Sequence, residues 1–238
     1  MSAISAQSPP TPAPEANLRR RAQLAGILYL VTFVASAPVL PLENVALKHA
    51  DFIVSAGSNA RLALGGVFNL INGLAAVGTA VALYPLLRRR HPGLALGLVT
   101  SRLLEGATIV TSTVAVLSLV TLHDPAARGA GRTALVAVGM ALIALHKWTF
   151  LLGPGLMSAI NALLLGTMLY KSGLVPRIIP TIGLIGAPIL LASVAAAVFG
   201  AYDQDSAASL LASLPVAVWE LSLALWLTIR GPRPEALL

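Results

Sequence analysis

The stretch LALGLVTSRLLEGATIVTSTVAVLSLVTL, Leu94 to Leu122, holds 29 residues and only two charges, Arg102 and Glu105. A helix of that length extends about 43 Å, more than enough to cross a hydrocarbon core of about 30 Å. An apolar run this long with so few charges reads as a transmembrane span. Working outward, comparable runs occupy Ala22 to Val39, Leu62 to Leu87, a segment within His146 to Tyr170, Ile178 to Phe199, and Ala207 to Ile229. The expectation is therefore an all-α, polytopic membrane helix bundle of about six spans.

Composition agrees with this. Of the 238 residues, 57% are hydrophobic and only 11% charged, and the mean hydropathy is +0.84. Soluble domains carry about 25% charged residues. The net charge of +7 and pI near 10.6 come from basic clusters at the ends of apolar runs. That placement is topological and argues against a nucleic-acid surface. With the amino terminus inside, the cytoplasmic Lys and Arg are Arg19, Arg20, Arg21, Arg88, Arg89, Arg90, Lys171, Arg177, Arg230 and Arg233. Only Lys48, Arg61, Arg128, Arg132 and Lys147 fall outside. This bias predicts both termini in the cytoplasm, and thirteen arginines against three lysines, with Ala and Leu abundant, point to a GC-rich bacterial genome. Acidic Glu43, Asp51, Asp124, Asp203 and Asp205 lie mostly on the outer side.

Residues 1–18, rich in Ser, Pro and Ala near the start, read as a disordered cytoplasmic tail. Residues 19–230 form a single membrane-embedded domain, and 231–238 a short cytoplasmic tail. Ala35-Ser36-Ala37 resembles a signal-peptide cleavage site, but Pro38 follows it, so the first helix reads as a permanent anchor. The 38 residues from Thr133 to Tyr170 would extend about 57 Å as one helix, nearly twice the core thickness. Gly153-Pro154-Gly155 is the natural kink. The preferred reading is a peripheral helix from Arg128 to Leu145 followed by the true span, with a seven-span arrangement as the alternative.

A charge inside a span costs about 2.5 to 3.5 kcal/mol on insertion scales, so it normally faces a cavity or a partner. Arg102, Glu105 and Glu220 are the three such residues. Arg102 and Glu105 share a helix face at i,i+3. Arg102 lies eleven residues beyond His91, and Glu220 ten before Arg230, which puts both about 15 Å deep, near the bilayer midplane. One guanidinium beside two carboxylates leaves negative charge in excess, an arrangement suited to a proton-holding acid. Ser101, Thr108 and Ser112 extend the polar face of Glu105. Asn69 and Asn72 add amides on the second span beside Gly65, Gly66 and Gly73, and Lys147, Pro154, Ser158 and Asn161 line up on the fourth. These residues make Glu105, Glu220 and Arg102 the candidate catalytic groups, with Asn69, Asn72, His146 and Asn161 as candidate ligand-binding groups.

Other chemistry finds little support. There is no cysteine, which removes disulfides, thiolate ligands and Cys nucleophiles. His49, His91, His123 and His146 lack i,i+4 partners, so no metal site is expected. Gly65-Gly66 and Gly153-Pro154-Gly155 are not phosphate loops, since no strand precedes them and no Lys-Ser or Lys-Thr follows. No cofactor is expected. His146-Lys147-Trp148 reads first as an interface anchor, and Trp219 with Trp226 as packing on one helix face.

Several runs carry a resemblance: Arg20-Arg21-Ala22-Gln23-Leu24-Ala25-Gly26-Ile27-Leu28-Tyr29-Leu30, Ala82-Leu83-Tyr84-Pro85-Leu86-Leu87, Arg102-Leu103-Leu104-Glu105, Tyr170-Lys171-Ser172-Gly173-Leu174-Val175-Pro176-Arg177 and Trp219-Glu220-Leu221. With them, the chain resembles a bacterial multi-pass membrane family known as domain of unknown function number 4386, over roughly Arg19 to Arg230. The resemblance implies a multi-helix inner-membrane protein and marks Arg102, Glu105 and Glu220 as pattern positions. It implies no activity.

Three functions remain open at this point. A midplane site could bind or transform a lipophilic small molecule entering from the lipid bilayer, in its extreme form by acid-initiated isoprenoid chemistry. The protein could be a non-catalytic membrane partner whose buried charges fix helix register. It could also be a proton-coupled transporter, although no internal repeat pairs its halves. The oligomeric state is left open.

Overall fold

A computed structural model describes residues 14–48, 59–122 and 131–233. The described residues form helices α1 (Pro14–Ser36), α2 (Val39–Lys48), α3 (Asn59–Leu87), α4 (Pro92–Leu122), α5 (Arg132–Phe150), α6 (Ser158–Ser172), α7 (Ile178–Val198) and α8 (Ala207–Ile229). A π-helical turn, Leu151–Met157, joins α5 to α6. Six of the resulting segments are long and apolar enough to cross a membrane. Their outward surface carries large exposed hydrophobics such as Leu24, Val34, Leu74, Leu103, Ile185 and Leu211, a pattern that suits lipid and not water. The expected all-α polytopic bundle is what the chain forms. Expectations that touch residues 1–13 and 234–238, the side chain of Lys48, and His49, Asp51, His123, Asp124 and Arg128 lie outside the described residues.

The spans form a ring. Each packs on its neighbours in sequence, and α8 closes the circle against α1. Lipid tails are as apolar as leucine, so association relies on close van der Waals contact between small faces. Gly183 on α7 is one such point: a Cβ there would come within 2.5 Å of the Trp219 indole. One end of the ring is solid. Leu18, Leu83, Leu98, Leu165, Met168, Leu223 and Leu227 belong to a continuous buried core where α1 and α4 begin and α3, α6 and α8 end. Toward the opposite end the centre is hollow and polar.

One sequence expectation needs correction, and one element had no counterpart in the sequence reading. The peripheral helix does not separate from the span that follows it, because residues 132–172 run as one 41-residue helix. Pro154 lacks an N–H and crowds the turn before it, and the wider π turn absorbs the defect without a break. At about 61 Å this helix must tilt or project beyond a 30 Å core. That element is α2, a short helix that follows α1 and packs on α3. The sequence reading groups Glu43 with the outer acids. The structure buries it to 1% exposure against Gly65, where a Cβ would stand only 2.9 Å from Glu43 Cγ.

Candidate functional site

Arg102 is the centre of the buried polar network. It sits on α4 at 3% exposure, one turn before Glu105, so the two side chains meet on one helix face. Arg102 Nη1 donates to Glu105 Oε2 at 3.0 Å. Nη2 donates to Glu220 Oε1 on α8 at 2.8 Å and to the Tyr29 hydroxyl on α1 at 2.8 Å. The guanidinium also stands over the Tyr29 ring, 5.0 Å from its centroid, a cation–π geometry. One arginine thus ties three spans together. Its Nε has no partner among the described residues.

The two carboxylates are held differently. Glu105 also accepts from Asn161 Nδ2 at 2.8 Å and from Ser158 Oγ at 3.2 Å, both on α6. Glu220 accepts only from Arg102 among the described residues, and its side chain remains 16% exposed. That exposure opens on a chamber of about 350 Å³. Thr32, Asn72, Arg102, Glu105, Ser158 and Glu220 supply much of its polar wall, while Phe33, Leu190, Val194 and Val216 supply apolar wall.

A second cluster lies nearby. Asn69 Nδ2 on α3 donates to Glu43 Oε1 at 3.2 Å. Ser112 Oγ on α4 meets His146 Nδ1 on α5 at 2.8 Å, and His146 Nε2 lies 3.8 Å from Glu43 Oε2. A smaller chamber of about 220 Å³ opens beside Glu43, Asn69, His146, Lys147 and Asp205. The two chambers share Ser36, Asn72, Phe150, Pro154, Gln204 and Leu210 as walls, and the π turn supplies Pro154 to both.

The candidate residues therefore divide. Arg102, Glu105, Glu220 and Asn161 form one network, Asn69 and His146 belong to the Glu43 cluster, and Asn72 lies on both chambers. The His146-Lys147-Trp148 run splits as well, with His146 turned inward and Trp148 half exposed. Trp219 is fully buried packing. Sequence reasoning overlooked Tyr29 and did not foresee the burial of Glu43. A tyrosine in the middle of a span, away from either interface, was the available signal for the first. For the second there was no local signal, since its burial depends on α2 packing on α3. Among the described residues no group of three or more His, Asp or Glu side chains could hold a metal ion.

No curated protein and no solved structure matches this chain. A family model does match, across residues 24–231, a range that contains every residue of both clusters. This six-span membrane chain belongs to the family described as Domain of unknown function (DUF4386).

Proposed function

We propose that the chain is a multi-pass protein of the bacterial inner membrane, with both termini cytoplasmic, whose hollow centre binds or transforms a lipophilic small molecule. The observation that carries this reading is the chamber of about 350 Å³ beside Arg102, Glu105 and Glu220. Ion pairs that only set helix register need no empty space next to them. Small-molecule sites typically measure about 300 to 1,000 Å³, with mainly apolar walls and a few convergent polar groups.

The supporting chemistry is a division of roles. Glu105, held by three donors, is the fixed partner of Arg102. Glu220, with a single donor and an exposed edge, is the group free to meet a ligand or exchange a proton. In the catalytic form of the reading, Glu220 is the general acid and Arg102 positions it. Acid-initiated isoprenoid chemistry is one reaction such an acid could begin. A purely structural role draws support from the short, buried Arg102 contacts.

Mass spectrometry of hydrophobic molecules retained by the purified protein separates the two. Wild type is compared with Glu105→Gln and Glu220→Gln at equal folded yield. A specific compound present in wild type and lost or altered in the variants is the expected result. Bulk lipid alone in all three samples would overturn the ligand-site reading in favour of the structural one.

A further inference from the structure

The walls of the two chambers carry more than polarity; they carry a sign. In the larger chamber, one guanidinium faces two carboxyl groups, so with Glu220 having given up its proton one negative charge is left over. In the smaller chamber, Lys147 and Asp205 offset one another, and Glu43 remains. Its hydrogen-bond donor, Asn69, is neutral. Ser112 Oγ and His146 Nδ1 stand 2.8 Å apart, and a neutral His146 that accepts there carries its proton on Nε2, facing Glu43. Among the described residues, neither chamber holds a positive charge to match its surplus carboxyl group.

The unfilled hydrogen-bonding capacity has the same character. Glu220 is bonded through Oε1 alone among the described residues. The Gln204 Oε1 acceptor is buried and has no partner among the described residues, and Gln204 lines both chambers. An unmet acceptor near a surplus negative charge in an apolar setting is costly, and a bound cation or donor removes that cost. The aliphatic and aromatic wall formed by Phe33, Leu190, Val194 and Val216 suits the hydrocarbon part of such a ligand.

We infer that the joined chambers take a lipophilic cation, an organic ammonium-type ion whose positive centre lies beside Glu220 and whose apolar part rests on that wall. Glu43 forms a second anionic station farther along the same slot. This deepens the ligand-site reading and rests on it. An anion of the same shape meets two surplus carboxylates and is rejected, which makes charge sign the discriminating property.

The test uses the full chain in nanodiscs of neutral phosphatidylcholine and two ions of nearly equal shape, tetraphenylphosphonium and tetraphenylborate, in equilibrium dialysis against empty nanodiscs. Saturable, protein-dependent binding of the phosphonium is expected. It should weaken about tenfold or more in Glu220→Gln, weaken a few-fold in Glu43→Gln, and survive in Glu220→Asp. Should Glu220→Gln fail to fold, protection of wild-type Glu220 from dicyclohexylcarbodiimide labelling replaces it: protection by phosphonium and not by borate supports the inference. Saturable borate binding equal to that of phosphonium overturns the cation assignment and leaves the ligand-site reading standing. Absence of phosphonium binding also overturns it, and the retained-compound experiment then decides independently whether a ligand site exists.

Discussion

The Arg102 network and the Glu43 cluster are both buried, yet they are built on opposite terms. At Arg102, full charges meet at 2.8 and 3.0 Å, and three spans depend on one guanidinium. At Glu43, a carboxylate is met by an amide at 3.2 Å and by an imidazole that, at 3.8 Å, stands beyond hydrogen-bond reach. The first arrangement concentrates energy in one side chain, and the second spreads it thinly. Removing one partner of a buried ion pair strands the other charge, whereas removing a neutral partner costs only a modest contact.

Three substitutions can break or sharpen that contrast. Arg102→Met strands two carboxylates and should cost about 3 to 5 kcal/mol, read as a large fall in the thermal unfolding midpoint in detergent. Recovery of part of this loss when Glu220→Gln is added would be the signature of stranded charge. Asn161→Ala withdraws one donor from Glu105 while Arg102 and Ser158 remain, so an intermediate loss of about 1 to 3 kcal/mol is expected in the same assay. His146→Phe removes the Ser112 contact and the distant approach to Glu43, and should cost only about 0.6 kcal/mol, the usual scale of polar contacts between membrane helices. A loss as large as that of Arg102→Met would show that His146 and Glu43 form a true ion pair, and the comparison would fail.

What the sequence disclosed followed the physics of each feature. Spans were legible because hydrocarbon thickness sets a length that any apolar run must meet. The Arg102, Glu105 and Glu220 layer was legible because mid-span charge is rare and its depth can be counted. The short α2 helix was not, since ten residues containing a proline give no span-length signal and their position depends on a tertiary contact at Gly65. Asn69 and His146 were found as polar residues but assigned no common partner, because that partner was Glu43. The continuity of residues 132–172 is not legible because a helix of nearly twice the core thickness reads as two elements parted near Leu145, whereas the π turn lets one long helix pass Pro154.

That π turn can also be described by residue count: it is an α-helix carrying one surplus residue in its wider turn, with regular helix on either side. Deleting one residue from Leu151–Met157 would return the segment toward ordinary pitch and leave α6 facing as before, because the bulge had absorbed that residue locally. Ser158 and Asn161 would stay on Glu105, while the wall that Pro154 gives to both chambers would be rebuilt. A single surplus amino acid thus shapes the chambers without disturbing the donors of Glu105.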